Sequence, residues 1–293
     1  MVALSSVIAL DALLALIRVV RNSSEYSHIA LVLPGSLTLI YLKRGAIFSK
    51  LNLGRPGLRS GIAPIVVLAA LVLLRRIASL TVDQQLSASV FLLVSFWIAA
   101  FYACFGSTAA RRALFPLTFL YFLVPWPKAL TEMTIVALQH TSADLVAWMF
   151  NLAEIPTLRQ GQTFLLVNQQ IEVAKECSGI RSSIALLMTG LLFGHLFLRS
   201  LWSKAVLLAL IPPLAVFKNG LRITTLSILG TYVDPGFLNG PLHHQGGIVF
   251  FALALGTLIA CLSLLRRFEQ MFFPSGPAEI GLCTFLFLIA WCL

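Results

Sequence analysis

Charge is scarce in this chain. Lys, Arg, Asp and Glu together make up 11% of its 293 residues while hydrophobic types reach 59%, whereas a soluble domain carries about a quarter charged and about half apolar. That balance excludes an ordinary soluble domain and indicates a polytopic membrane protein. Acidic residues are scarcest, 11 Asp and Glu against 21 Lys and Arg, for a formal net charge of +10. The excess lies between apolar runs, which is the pattern of cytoplasmic anchoring. No basic stripe with interleaved aromatics is present, so nucleic acid is excluded as a partner. Also missing are His-Glu-x-x-His, Gly-x-Gly-Asp and Gly-x-Ser-x-Gly, which leaves zinc, membrane aspartyl and serine-elbow proteolysis without the residues they use. There is no internal repeat and no low-complexity tract.

Cysteine is nearly as sparse, at 5 residues. Cys104, Cys261, Cys283 and Cys292 sit within apolar stretches, where a free thiol behaves as a small hydrophobe. Cys177 alone has polar neighbours. No second cysteine stands near it to form a CxxC pair or zinc site, so neither a metal nor a cofactor is expected.

A span needs about 20 apolar residues, fewer if its ends snorkel or the bilayer thins. The runs that qualify are Val2–Val20, Ile29–Leu42, Gly61–Leu74, Leu86–Phe105, Leu114–Val124, Ile180–Leu198, Ala205–Phe217 continuing through Ile223–Tyr232, and Ile248–Leu265. A final run, Ile280–Leu293, is short. The expected fold class is therefore an all-α polytopic bundle of about eight transmembrane helices with a ninth short C-terminal candidate. Runs of 11 to 14 residues such as Leu114–Val124 also suit a re-entrant or interfacial segment. Asp11 and the lack of a basic n-region mark the first run as a retained span rather than a cleaved signal. The seventh span carries Pro212-Pro213 and Asn219-Gly220 and reads as discontinuous.

Basic loops set the orientation. Lys43, Arg44, Lys50, Arg55 and Arg59 fill one, and Arg111 with Arg112, Arg199 with Lys204, and Arg266 with Arg267 mark three more, all at even-numbered span ends and hence cytoplasmic. Arg18, Arg21, Arg75 and Arg76 on the opposite side temper the bias. Residues 126–176 are then an extracytoplasmic insert. Its stretch Thr131–Leu152 mixes apolar residues with Glu132, Gln139, His140 and Asp144, as an amphipathic interfacial helix does. Thr163–Val167 and Ile171–Ala174 read as a short β-hairpin leading into Cys177.

Three motifs lie at the edges of apolar runs, where ionisable groups mark function by default. They are Cys177 within Glu176-Cys177-Ser178-Gly179-Ile180-Arg181-Ser182-Ser183, Arg222 within Asn219-Gly220-Leu221-Arg222-Ile223, and His243 within His243-His244-Gln245-Gly246-Gly247. On this topology all three converge on the outer face. A nearby imidazole, a cation and a helix N-terminus each raise the thiolate fraction of a cysteine. The set thus suits nucleophilic catalysis: Cys177 attacks a carbonyl, His243 moves protons, and Arg222 donates to the oxyanion. His28, His140 and His195 lack such company. Glu172, Glu176 and Asp234 are candidate acids to orient the imidazole or pair Arg222.

In order and spacing, Glu-Cys-Ser-Gly-Ile-Arg-Ser-Ser, Asn219-x-x-Arg222-Ile223 and His243-x3-Gly247-x3-Phe251 resemble the exosortase and archaeosortase family, the membrane cysteine transpeptidases of PEP-CTERM type sorting systems. Tyr26-Ser27-His28, Phe115-Pro116-Leu117 and Val124-Pro125-Trp126-Pro127 add to the resemblance, which is strongest over residues 25–251. It implies one integral membrane domain over residues 1–293 with a C-terminal tail, 268–293, of unassigned role. It also implies an enzyme that cuts the C-terminal sorting tail of exported proteins through a Cys thioester and passes the acyl group to a lipid or glycan acceptor. Such tails carry a short motif, an apolar span and a basic cluster. Cys177 matches the family nucleophile, Arg222 its arginine and His243 its third residue, with His244 the alternative. Glu176, Ser178, Asn219 and Gly247 would support them. Histidine at the third position points to the bacterial branch, and so to the inner membrane with the site facing the periplasm or exterior. The rival function is a transporter or channel that uses Arg222 and His243 for anions or protons.

Overall fold

Val82–Arg112 shows how local chemistry starts and bends a helix in this chain. The Thr81 hydroxyl accepts from the Gln84 amide, and the Gln84 side chain accepts from the Thr81 amide at 3.2 Å, which satisfies two of the orphan donors of a helix start. At Gly106 the backbone takes φ +79°, and two helical segments meet there in a kink. The computed structural model describes residues 10–49, 58–74, 80–166, 170–173, 179–234, 236 and 247–272.

The first of two compact units covers Met1–Thr131. Its described helices are α1 (Leu10–Asn22), α2 (Ile29–Leu42), α3 (Arg44–Phe48), α4 (Leu58–Leu74), α5 (Val82–Arg112) and α6 (Leu114–Phe119), with α6 tightening into a 3-10 turn over Leu120–Leu123. α4 packs along α5, and α6 with its 3-10 turn packs on α2. Ser36, buried on α2, donates to the Pro116 carbonyl at 2.7 Å. The Tyr26 hydroxyl donates to the Trp126 carbonyl at 3.1 Å. Two sequence motifs a hundred residues apart, Tyr26-Ser27-His28 and Pro125-Trp126-Pro127, therefore meet in this unit.

The second unit covers Glu132–Leu293. It holds most of α7 (Lys128–Leu152), a sheet, and the helices α8 (Ile180–Phe197), α9 (Leu201–Tyr232) and α10 (Gly247–Phe272). The sheet is an antiparallel meander of β1 (Leu158–Gln160), β2 (Thr163–Leu165) and β3 (Gln170–Glu172). The expected hairpin is present as β2 and β3, and β1 is an addition. All three β1 residues are exposed, so the strand shows no apolar alternation. It is set instead by the Gly161 turn at φ +64° and by Arg159, which reaches Asp144 on α7 at 2.8 Å. Phe164 of β2 is fully buried and meets Phe150 of α7 edge-on at 5.5 Å. Ala143, Val146, Val173 and Ile223 complete this core.

α9 corrects the expectation of a discontinuous seventh span. It runs unbroken over Leu201–Tyr232 with Pro212 and Pro213 inside. A proline removes its own amide bond and crowds the preceding turn, but neighbouring helices hold such positions in membrane proteins, and here α8 and α10 pack against α9. Four described helices, α5, α8, α9 and α10, are long and apolar enough to cross a membrane, and Ile29–Leu42 and Leu114–Leu123 are shorter apolar helices. The chain is thus a helical multi-pass membrane protein. The run Ile280–Leu293 lies outside the described residues.

Candidate functional site

Cys177, Glu176, Ser178, His243 and His244 lie outside the described residues. Val173 and Gly179 stand on either side of residues 174–178 in the chain, and Asn219 and Arg222 lie on α9.

Val173 ends the sheet under two restraints. Its amide donates to the Gln162 carbonyl at 3.0 Å, and its carbonyl accepts from the Gln139 amide of α7 at 2.8 Å, with Gln139 buried. A buried carbonyl left unpaired would cost about 1–3 kcal/mol, so this bond fixes where β3 leaves the sheet.

Gly179 caps α8 at φ +72°, a left-handed conformation that glycine adopts without strain. Its carbonyl accepts from the Ser183 amide at 2.9 Å, the Ser183 hydroxyl at 2.8 Å and the Ser182 hydroxyl at 3.0 Å. A side chain is also excluded sterically, because a Cβ here would stand 2.9 Å from Asn219 Oδ1.

Asn219 is 2% exposed and works on two helices at once. Its Nδ2 donates to Ser142 Oγ of α7 at 2.9 Å, with Ser142 wholly buried, while its Oδ1 lies against Gly179. Gly220 lets α7 come close, since a Cβ there would lie 2.7 Å from Leu145 Cδ2. Four residues on, Thr224 donates to Met149 Sδ at 3.4 Å. Ser142, Leu145 and Met149 thus form one stripe of α7 along α9, at the i, i+3, i+7 spacing of a helix face. Arg222 follows Asn219 by one turn and is half-buried, with its Nε shielded from solvent.

Lys218 is the residue that sequence reasoning missed. It is 5% exposed, and its Nζ donates to Ser182 Oγ of α8. Among the described residues no carboxylate accompanies it. A buried cation without its counter-charge costs several kcal/mol, and within a membrane span such a group is a functional-site signal. That signal was visible as a lysine between Phe217 and Asn219 in an otherwise apolar run, but dividing the run at Phe217 hid it.

Other expected residues fall elsewhere. Gly247 opens α10, and no described atom lies within 4 Å of a Cβ built there. Asp234 is exposed and accepts from the Gly236 amide at 2.8 Å in a local turn. Glu172 is exposed on β3, and His140 is exposed beside Gln162. His28 belongs to the first unit, where burial lowers its pKa against a smaller upward pull from the Glu25 carbonyl it contacts at 3.1 Å. Cys104 and Cys261 are free thiols on α5 and α10. No cluster of His, Cys, Asp or Glu suited to a metal ion occurs among the described residues.

This helical membrane chain, in which Gly179 of the Cys-Ser-Gly motif meets Asn219 of the Asn-x-x-Arg motif, falls in the class of membrane-embedded sorting enzymes. The family model for the transmembrane exosortases (Exosortase_EpsH) matches residues 20–260, and the chain belongs to that family. Searches of curated proteins and of solved structures found no match.

Proposed function

We propose that this protein is a cysteine transpeptidase of the bacterial inner membrane that cleaves the C-terminal sorting tails of exported proteins and transfers the trimmed proteins to an acceptor. The observation that carries the reading is the contact of Asn219 with Gly179. It joins the start of α8 to the turn of α9 that presents Arg222, and Cys177 precedes Gly179 by two residues, a chain length of at most about 7 Å.

The Cys177 thiolate attacks the carbonyl carbon at the cleavage site, and Arg222 donates to the oxyanion as it forms. Collapse breaks the C–N bond, the leaving amine takes a proton from His243, and a thioester remains. The acceptor's amine or hydroxyl then gives its proton to His243 and attacks the thioester, which releases the thiolate. Glu176, Ser178 and Gly247 are proposed supports of these groups. Substrates carry a short motif, an apolar span and a basic cluster, and the acceptor is a lipid or glycan. The basic loops favour a site facing the periplasm in a bundle of about eight spans. The unbroken α9 removes the broken helix on which a transporter reading leaned.

Coexpression of a tailed substrate with Cys177→Ala tests this through gel mobility of the substrate. Loss of processing with normal membrane accumulation is expected. Normal processing by Cys177→Ala would overturn the reading.

A further inference from the structure

Lys218 stands where the proposed mechanism uses no residue. It is buried in the middle of α9, its ammonium is held by Ser182 Oγ, and Ser182 in turn donates to the Gly179 carbonyl at 3.0 Å. A relay of two hydrogen bonds therefore connects a fixed positive charge to the residue that caps α8. Arg222 is the next turn of the same face of α9, at the i, i+4 position. Two cations side by side repel each other, so packing alone gives no reason for both.

Among the described residues, the charges on the elements around Lys218 supply it no anion. On α8, Arg181 is exposed beside Ser182, and His195 lies in the last turn, at the far end of the helix. On α7, Asp144 is exposed and paired with Arg159, and Glu132 and His140 are exposed. On α10, Glu269 accepts from the Arg199 and Ser200 amides, and Arg266 and Arg267 sit one turn or less from it. Ser200 caps the start of α9, 18 residues before Lys218, or about 27 Å of helix.

We propose that Lys218 is a positioning residue whose ammonium, oriented by Ser182, supplies the N-terminal end of α8 with a second fixed positive charge and so stabilises the anionic sulfur of Cys177. The inference rests on the reading of Cys177 as the nucleophile. A cation near a thiol and a helix N-terminus act in the same direction, each favouring the thiolate. Arg222 is thereby left to the oxyanion, and the two cations divide the work: one charge prepares the nucleophile, the other receives the charge that moves to oxygen. A methionine at this position would fill similar space but carry no charge, whereas arginine would keep the charge.

The test uses the full chain with Cys104, Cys261, Cys283 and Cys292 replaced by Ser, in membranes, and follows the rate of Cys177 alkylation by iodoacetamide against pH. Lys218→Met should move the midpoint up by about one pH unit and slow alkylation at neutral pH about tenfold. Lys218→Arg should keep the midpoint close to that of the parent. Ser182→Ala should move it in the same direction as Lys218→Met but less, because the ammonium loses its orientation and not its charge. An unchanged midpoint in Lys218→Met overturns the proposal. So does a Lys218→Arg midpoint as high as that of Lys218→Met, which would show that shape rather than charge matters. If Lys218→Met does not accumulate in membranes, Ser182→Ala decides, and an unchanged midpoint there overturns the proposal. Alkylation needs no sorting substrate, so a wrong nucleophile assignment appears separately, as normal processing by Cys177→Ala beside an intact midpoint shift.

Discussion

Asn219 Oδ1 occupies the space that a side chain on Gly179 would need, 2.9 Å from the ideal Cβ position. Asn219 Nδ2 at the same time holds Ser142 of α7 at 2.9 Å. One buried amide thereby sets the spacing of three helices at the place where Gly179 caps α8.

Gly179→Ala is expected to cost processing at least tenfold. The left-handed φ of +72° disfavours any side chain by about 1–3 kcal/mol, and the new methyl would push Asn219 away. Adding Asn219→Ala removes the clash but not the backbone strain, so the double variant should remain impaired. Substrate mobility on gels at matched expression measures both.

At Gly220 the close approach is to Leu145, whose Cδ2, Cγ and Cβ all lie within 3.5 Å of an added Cβ. Gly220→Ala should destabilise the protein by about 1–3 kcal/mol, the usual range for overpacking. Leu145→Ala in the same chain should recover part of that loss. Thermal unfolding of the four proteins in detergent completes the double-mutant cycle, and additive losses would refute the contact.

Arg222→Lys should fail in processing by roughly a hundredfold or more, since an ammonium cannot reproduce the planar fork of a guanidinium aimed at an oxyanion. Single-turnover rates with a tailed substrate provide the measure. A near-native rate would make Arg222 a general positive charge.

His243→Ala should lose about a hundredfold or more in rate, as expected when a general acid and base is removed, while His244→Ala should be milder. Successive residues on a helix point about 100° apart, so the two rings cannot serve the same site if the segment enters α10 helically. A dead His244→Ala beside an active His243→Ala would shift the assignment by one residue.

His28 gives a pH prediction for the first unit. Burial lowers its folded pKa, so the neutral ring is favoured in the folded state. Its contribution is therefore fully present above the unfolded value of about 6.5 and is lost as pH falls from there through the lower folded value. Thermal unfolding of His28→Gln should depend less on pH between about 7 and 5 than that of the parent chain.

Sequence alone determined the elements that follow from periodicity and composition. The limits of α2 at Ile29–Leu42, and those of α8 to within a residue, are those of the apolar runs, because backbone groups in a bilayer can be satisfied only within a helix or a closed barrel. Cys177, Arg222 and His243 stand out in the sequence as candidates because polar and ionisable groups at span edges need a function to offset their free-energy cost. Tertiary structure alone decided the rest. β1 has no apolar alternation to betray it and exists because Gly161 turns the chain and Arg159 finds Asp144. The continuity of α9 through Pro212 and Pro213 depends on packing against α8 and α10, which no local pattern records. The role of Gly179 and the partner of Lys218 depend on which side chains of α9 arrive opposite α8. Those meetings join residues about 36 to 77 positions apart in the chain, and their energy comes from desolvation and close contact rather than from any preference of the local sequence.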